Sequence, residues 1–141
     1  MKSITSLLGI FTLLAFTSCE VAPQPIEYGT DMCHFCSMSI VDKTHAAQIV
    51  TQKGRAYKYD AAECMIQDIQ AKDYGKIALF LVTDYTHPAK LIDAAEATFL
   101  VSEEIKSPMG ANLSAFEKKE EAQKYEGQLF TWETIQKRFD N

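Results

Sequence analysis

This chain has no run of cations, no glycine-rich loop and no apolar stretch long enough to cross a membrane. Each absence removes a class of function. Without a basic run, and with a formal net charge of −5, the chain is a poor nucleic-acid binder, because neutralising phosphates supplies most non-specific affinity. The glycines of its main body are isolated, so nothing cradles the phosphates of a nucleotide. There is no Gly-x-Ser-x-Gly elbow, and the placement of Ser, His and Asp proposes no catalytic triad. The apolar run at residues 7–16 is too short and too interrupted to span a bilayer, which takes about 20 apolar residues.

That run belongs to a different pattern. Lys2 is the sole charge before Glu20, and the apolar run is followed by Thr17, Ser18 and Cys19. A positive start, an apolar middle and small residues before a cleavage point read as a secretory signal peptide over residues 1–18. A Cys directly after Thr-Ser resembles a bacterial lipobox, which implies that Cys19 is lipidated and becomes the first mature residue. Phe16 stands where a lipobox usually opens with Leu. Cleavage there removes Lys2 and takes the formal net charge from −5 to −6. Attachment to a membrane then comes from acyl chains and not from anionic headgroups. The expected location is the bacterial cell envelope, anchored by lipid and facing the periplasm.

Residues 19–30 read as the lipidated Cys and a flexible tether, with Pro23, Pro25 and no apolar periodicity. Fully extended, the tether reaches roughly 35 Å at about 3.3 Å per residue. Residues 31–141 have the size of one domain. Residues 46–50 and 55–59 read as a hairpin around Gln52-Lys53-Gly54. Asp60, with Glu63 three residues on, reads as a capping box opening a helix to Ala71 that buries Ala62, Met65, Ile66 and Ile69. Residues 76–83 read as a central strand. In the second half, residues 97–101 read as a strand, residues 107–110 as a loop, and Ser114 with Glu117 as the cap of a helix to Lys124. Gln128-Leu129-Phe130 is short and apolar, and Thr131 opens a last helix. The expected fold is α+β: one compact domain, built from two related β-β-α-β-like halves.

The chemistry concentrates in Met32-Cys33-His34-Phe35-Cys36-Ser37-Met38. Thiolates and thioethers are soft donors and together favour Cu(I). Zinc sites use Cys and His but have little use for Met, and no second ligand pair stands at suitable spacing. Covalent haem attachment fails because Ser37 occupies the position of the required His. A redox Cys-x-x-Cys needs no thioether and normally opens a helix after a strand, whereas this one follows a Pro-containing segment. A clasp disulfide would close a tiny loop and contribute little. Copper therefore ranks first, disulfide or redox chemistry next and zinc last.

If Cys19 is lipidated, Cys33, Cys36 and Cys64 remain, an odd number for a disulfide framework. Metal service is one reason for an exported domain to keep unpaired thiols. Cys36 and Met38 form the expected core pair, because residues two apart in an extended segment face one side. Met109, between Pro108 and Gly110, reads either as the completing donor or as a loop Met folded back on the core, with Cys33 a further candidate. Cys64 and Met65 read as core residues of a helix, His45 and His87 as surface residues, and His34 as a tuner of thiol pKa.

These features resemble the NosL family, the nitrous oxide reductase accessory lipoproteins. The lipobox Cys19, the tether, Cys33-x-x-Cys36-x-Met38, the Tyr59-Asp60-x-x-x-Cys64-Met65 helix entry and Pro108-Met109-Gly110 carry the likeness. Two positions depart from the family: Ser37 where Gly is usual, and His34 where Pro is frequent. The resemblance implies a Cu(I) metallochaperone, not an enzyme, that supplies copper for maturation of nitrous oxide reductase in denitrification. It implies partners too: a membrane complex with an ABC-type transporter and a periplasmic β-helical protein. The competing function is a membrane-anchored extracytoplasmic thiol–disulfide protein using Cys33 and Cys36.

Overall fold

A computed structural model describes residues 20–140. Residues 1–18, expected to be a signal peptide, and Cys19 fall outside the described residues. Ten elements follow in order: β1 (Ala47–Thr51), β2 (Ala56–Tyr59), α1 (Ala62–Ala71), β3 (Ile77–Thr83), β4 (Leu91–Asp93), β5 (Thr98–Val101), β6 (Leu113–Phe116), α2 (Lys119–Ala122), β7 (Gln128–Phe130) and α3 (Trp132–Arg138). The fold is α+β, with two antiparallel sheets ordered β2-β1-β3-β4 and β6-β5-β7. The first half runs β1-β2-α1-β3 and the second β5-β6-α2-β7, and in each the opening strand lies in the middle of its three.

β1 is buried at all five positions, as a strand flanked on both edges and covered must be. α1 presses Ala62, Cys64, Met65 and Ile66 into the main core beside Ile49, Tyr59, Phe99 and Ile135. Trp132 of α3 joins the halves, with its ring 5.5 Å from Phe80 and 5.8 Å from Phe99. The capping box at Thr131 and Thr134 is formed and starts α3 where the sequence places it.

Three expectations need correction, and one strand had no forecast. Ser114 caps no helix: it lies inside β6, and the helix is only α2. Leu113 and Ala115 alternate with Ser114 and Phe116 across that strand, and pairing with β5 overrides the local Ser-x-x-Glu signal. β4 carries no strong strand signal and exists because it pairs with β3. The Asp60–Glu63 capping box does not form; Ala61 is the N-cap and no side chain caps it. Finally, the tether is docked from Gln24 onward. Gln24 exchanges two 2.8 Å hydrogen bonds with the buried side-chain amide of Gln48, and Ile26 and Tyr28 pack on the core. No helix among the described residues is long and apolar enough to cross a membrane.

Candidate metal centre

Residues 31–40 fold into a tight hairpin and not an extended arm. Met32 and Ser39 form an antiparallel bridge, the Cys33 N–H donates to the Met38 carbonyl at 2.8 Å, and the Ser37 N–H donates to the Cys33 carbonyl at 2.9 Å. Closing this turn puts Ser37 at φ 63°, the left-handed region that glycine adopts without strain. The same-side argument for Cys36 and Met38 does not survive, because a turn separates them. The hairpin is fastened to β2 by the His34 N–H, which donates to the Lys58 carbonyl at 2.8 Å, and by Lys58 Nζ on Asp31 at 2.6 Å.

The hairpin lays its thiols over the first turn of α1. The sulfurs of Cys33, Cys36 and Cys64 lie within 4.8 Å of one another. All three are free thiols; Cys33 and Cys64 are buried and Cys36 is half-buried. A metal–sulfur bond of about 2.3 Å puts the sulfurs of a trigonal shell about 4.0 Å apart, so small side-chain adjustments close the cluster on one ion. Cys64 is a core residue, as a mid-helix position suggests, yet its sulfur also completes this group. Its membership is visible in sequence only as the third thiol that a disulfide framework cannot use.

Electrostatics favour one ionised thiol. The Cys64 thiol donates to the Cys33 sulfur, and the backbone N–H groups of Cys36, Asp60 and Phe35 add to it, pulling Cys33 down to about 5. Burial pushes Cys36 up. Cys64 is pushed up as well, first by its hydrogen bond to Cys33 and then by burial. A single thiolate flanked by two thiols can hold a soft cation, and binding one would release the thiol protons.

Two buried acids lie close to these thiols in the chain. Asp60 is 5 % exposed with Oδ1 unpartnered, and burial followed by the charge of Cys33 pushes its carboxyl up to about 6. Glu63, beside Cys64, is also raised by burial and accepts a hydrogen bond from Ser107. That bond ties the loop carrying Met109 to the helix carrying Cys64. His45 is not a surface residue: it is buried between Asp42, at 2.8 Å from Nδ1, and Ser114 of β6, at 3.0 Å from Nε2. With both nitrogens engaged it is a bridge between halves. His87 is exposed, as expected. Met38 and Met109 stand at the surface, 61 % and 43 % exposed.

The class of protein is a small two-sheet α+β domain with a thiol trio, able to hold a soft cation, under a surface hairpin. The chain belongs to the NosL family, whose profile matches residues 25–139. Among solved structures, the copper chaperone NosL from Shewanella denitrificans superposes with a TM-score of 0.69 at 20% identity. The match covers 81% of this chain and 95% of that one, and shows a shared fold. No curated protein matches the chain.

Proposed function

We propose that this chain is a Cu(I) metallochaperone of the cell envelope, anchored through a lipid on Cys19, that delivers copper for maturation of nitrous oxide reductase. The observation that carries the reading is the trio of sulfurs within 4.8 Å on Cys33, Cys36 and Cys64. Three thiols suit Cu(I), and the thioethers of Met38 and Met109 at the surface suit it further, since they add soft donors without charge. Family membership and the copper chaperone with the same fold support the choice of metal. The role is binding and handover, not catalysis. Cys36, half-buried, is the thiol an acceptor's ligand reaches first, so copper passes through a shared-ligand intermediate. The acceptor complex is the ABC-type transporter with its periplasmic β-helical protein.

The test is anaerobic titration of the reduced protein with Cu(I) against a competing chelator, repeated with Zn(II). Tight 1:1 Cu(I) binding with weak zinc binding is the expected result; preference for zinc overturns the reading. A thiol–disulfide role is the second reading, because Cys33 is held ionised at neutral pH beside two other thiols. Met38→Leu separates the two. Cu(I) affinity falls about tenfold if the thioether is a ligand, on the scale of 1.4 kcal/mol per decade, whereas thiol exchange is unaffected.

A further inference from the structure

This acidic chain gathers cations in one place. A cleft of about 600 Å³ opens between the β1–β2 turn and the segment that follows α1, and Lys53, Arg55, Lys76, Tyr57 and Tyr74 line it. None of the three cations has a carboxylate within ion-pair distance among the described residues, while Lys58 and Lys72 nearby are paired. The Arg55 guanidinium lies 4.9 Å from the Tyr57 ring centroid, so cation and ring form one continuous face. Tyr74 is locked in place because its hydroxyl donates to buried Asp68, which also holds Tyr59 at 2.8 Å. The site is thus rigid on one wall.

Two rings of the cleft wall approach the thiol site. The His34 ring, between Cys33 and Cys36, lies 4.6 Å from Tyr57 and 6.1 Å from Tyr74. β2 runs between the two sites and is an edge strand. Its phase follows from two bonds: the Thr51 N–H donates to the Arg55 carbonyl, and the His34 N–H donates to the Lys58 carbonyl. Arg55 and Tyr57 therefore turn their backbone groups toward β1, and Ala56 and Lys58 turn theirs outward. The metal-binding hairpin occupies that edge at Lys58. At Ala56 the amide and carbonyl have no partner among the described residues.

From this geometry we infer that the cleft docks a short, extended, acidic segment of the protein that receives the metal. The segment pairs with the open edge of β2 at Ala56, sets its carboxylates against Lys53, Arg55 and Lys76, and points its next residues at His34 and Cys36. An open backbone edge recognises a peptide, where a phosphate or a flat bilayer would use the cations alone. The inference rests on the delivery reading for the identity of its partner, and it extends that reading by assigning where the acceptor first touches.

The test uses the full chain, amide-labelled for NMR, with an alternating Glu/Val heptapeptide as probe. Expected are saturable shifts at Ala56, Tyr57 and Lys76, weakening as salt rises. A Lys/Val peptide should give none. Arg55→Glu with Lys76→Glu should weaken binding about tenfold or more while Cu(I) affinity stays within twofold. Arg55→Gln with Lys76→Gln serves if the reversal disturbs the fold. Equal response to the Lys/Val peptide, or full binding by the charge-reversed variant, overturns the inference. So does a response only to inorganic phosphate or to phosphatidylglycerol vesicles. Peptide shifts in a protein that fails to bind Cu(I) would uphold the docking cleft and sink only the delivery reading.

Discussion

The first half of this domain carries the thiols, and the second half repeats its topology without them. Both place their opening strand between the other two, and both cross over through a helix. The helices differ. α1 has ten residues, and its first turn reaches under the hairpin of residues 31–40, so Cys64 meets Cys33 and Cys36. α2 has four residues, three of them charged, and only Ala122 is buried. The second half instead supplies braces. Ser107 holds Glu63, and Ser114 holds His45. The contrast teaches that the β-β-α-β unit is a frame: the site arises where the helix is long enough to bury a thiol beneath an added hairpin.

The sharpest way to break this contrast is Cys64→Ser. If the first half alone builds the metal shell, Cu(I) affinity falls on the order of a hundredfold or more. Loss of an outer-shell partner already costs 10–100-fold, and the proposed trio makes Cys64 a ligand. An affinity unchanged in competition titration would return Cys64 to a packing role.

Next in size is Asp60→Asn. Because the folded carboxyl is raised to about 6, against about 3.9 in an unfolded chain, the native state binds its proton more tightly. Its contribution to stability is present below about pH 4 and lost as pH rises to about 6. Cys33 has the opposite sign. Its folded value near 5 lies below about 8.5, so its contribution grows as pH rises between them. Urea unfolding of the metal-free protein at pH 7 should show Asp60→Asn more stable by about 1–2 kcal/mol. The pH dependence between about 4 and 6 should flatten. A less stable variant would mean that the Asp60 carboxylate is doing structural work beyond its charge.

Ser107→Ala probes the brace from the second half. It strips a hydrogen bond from buried Glu63, whose other oxygen already has no partner, so stability falls by about 1–2 kcal/mol. Hydrogen exchange should rise at residues 107–110 and in the first turn of α1 together. A rise confined to the loop would uncouple the halves.

Ser37→Gly is the smallest. Relief of the left-handed strain exceeds the added backbone entropy, so the metal-free protein gains about 0.5–1 kcal/mol by thermal unfolding. Any loss would mean that the Ser37 side chain contributes a contact of its own.

The first half was far more legible than the second. β1, β2, α1 and β3 announce themselves by alternation, a Gly turn and helical spacing, signals that act within a few residues. β6 was misread because Ser114 and Glu117 carry a genuine local cap signal, which pairing with β5 outweighs. His45 was misread because neither Asp42 nor Ser114 announces itself as its partner. Asp42 is near in sequence, but Ser114 is 69 residues away.

The sequence by itself determined the soft-donor composition of residues 32–38 and the α+β class. These depend on residue types and short spacings alone. Only the tertiary structure decided which sulfurs meet. Cys64 lies 28 residues beyond Cys36, and its approach depends on β1 and β2 turning the chain back so that α1 begins beneath the hairpin. The same fold set the ionisation of Cys33. Three backbone N–H groups and a neighbouring thiol converge on one sulfur only after burial has fixed them there.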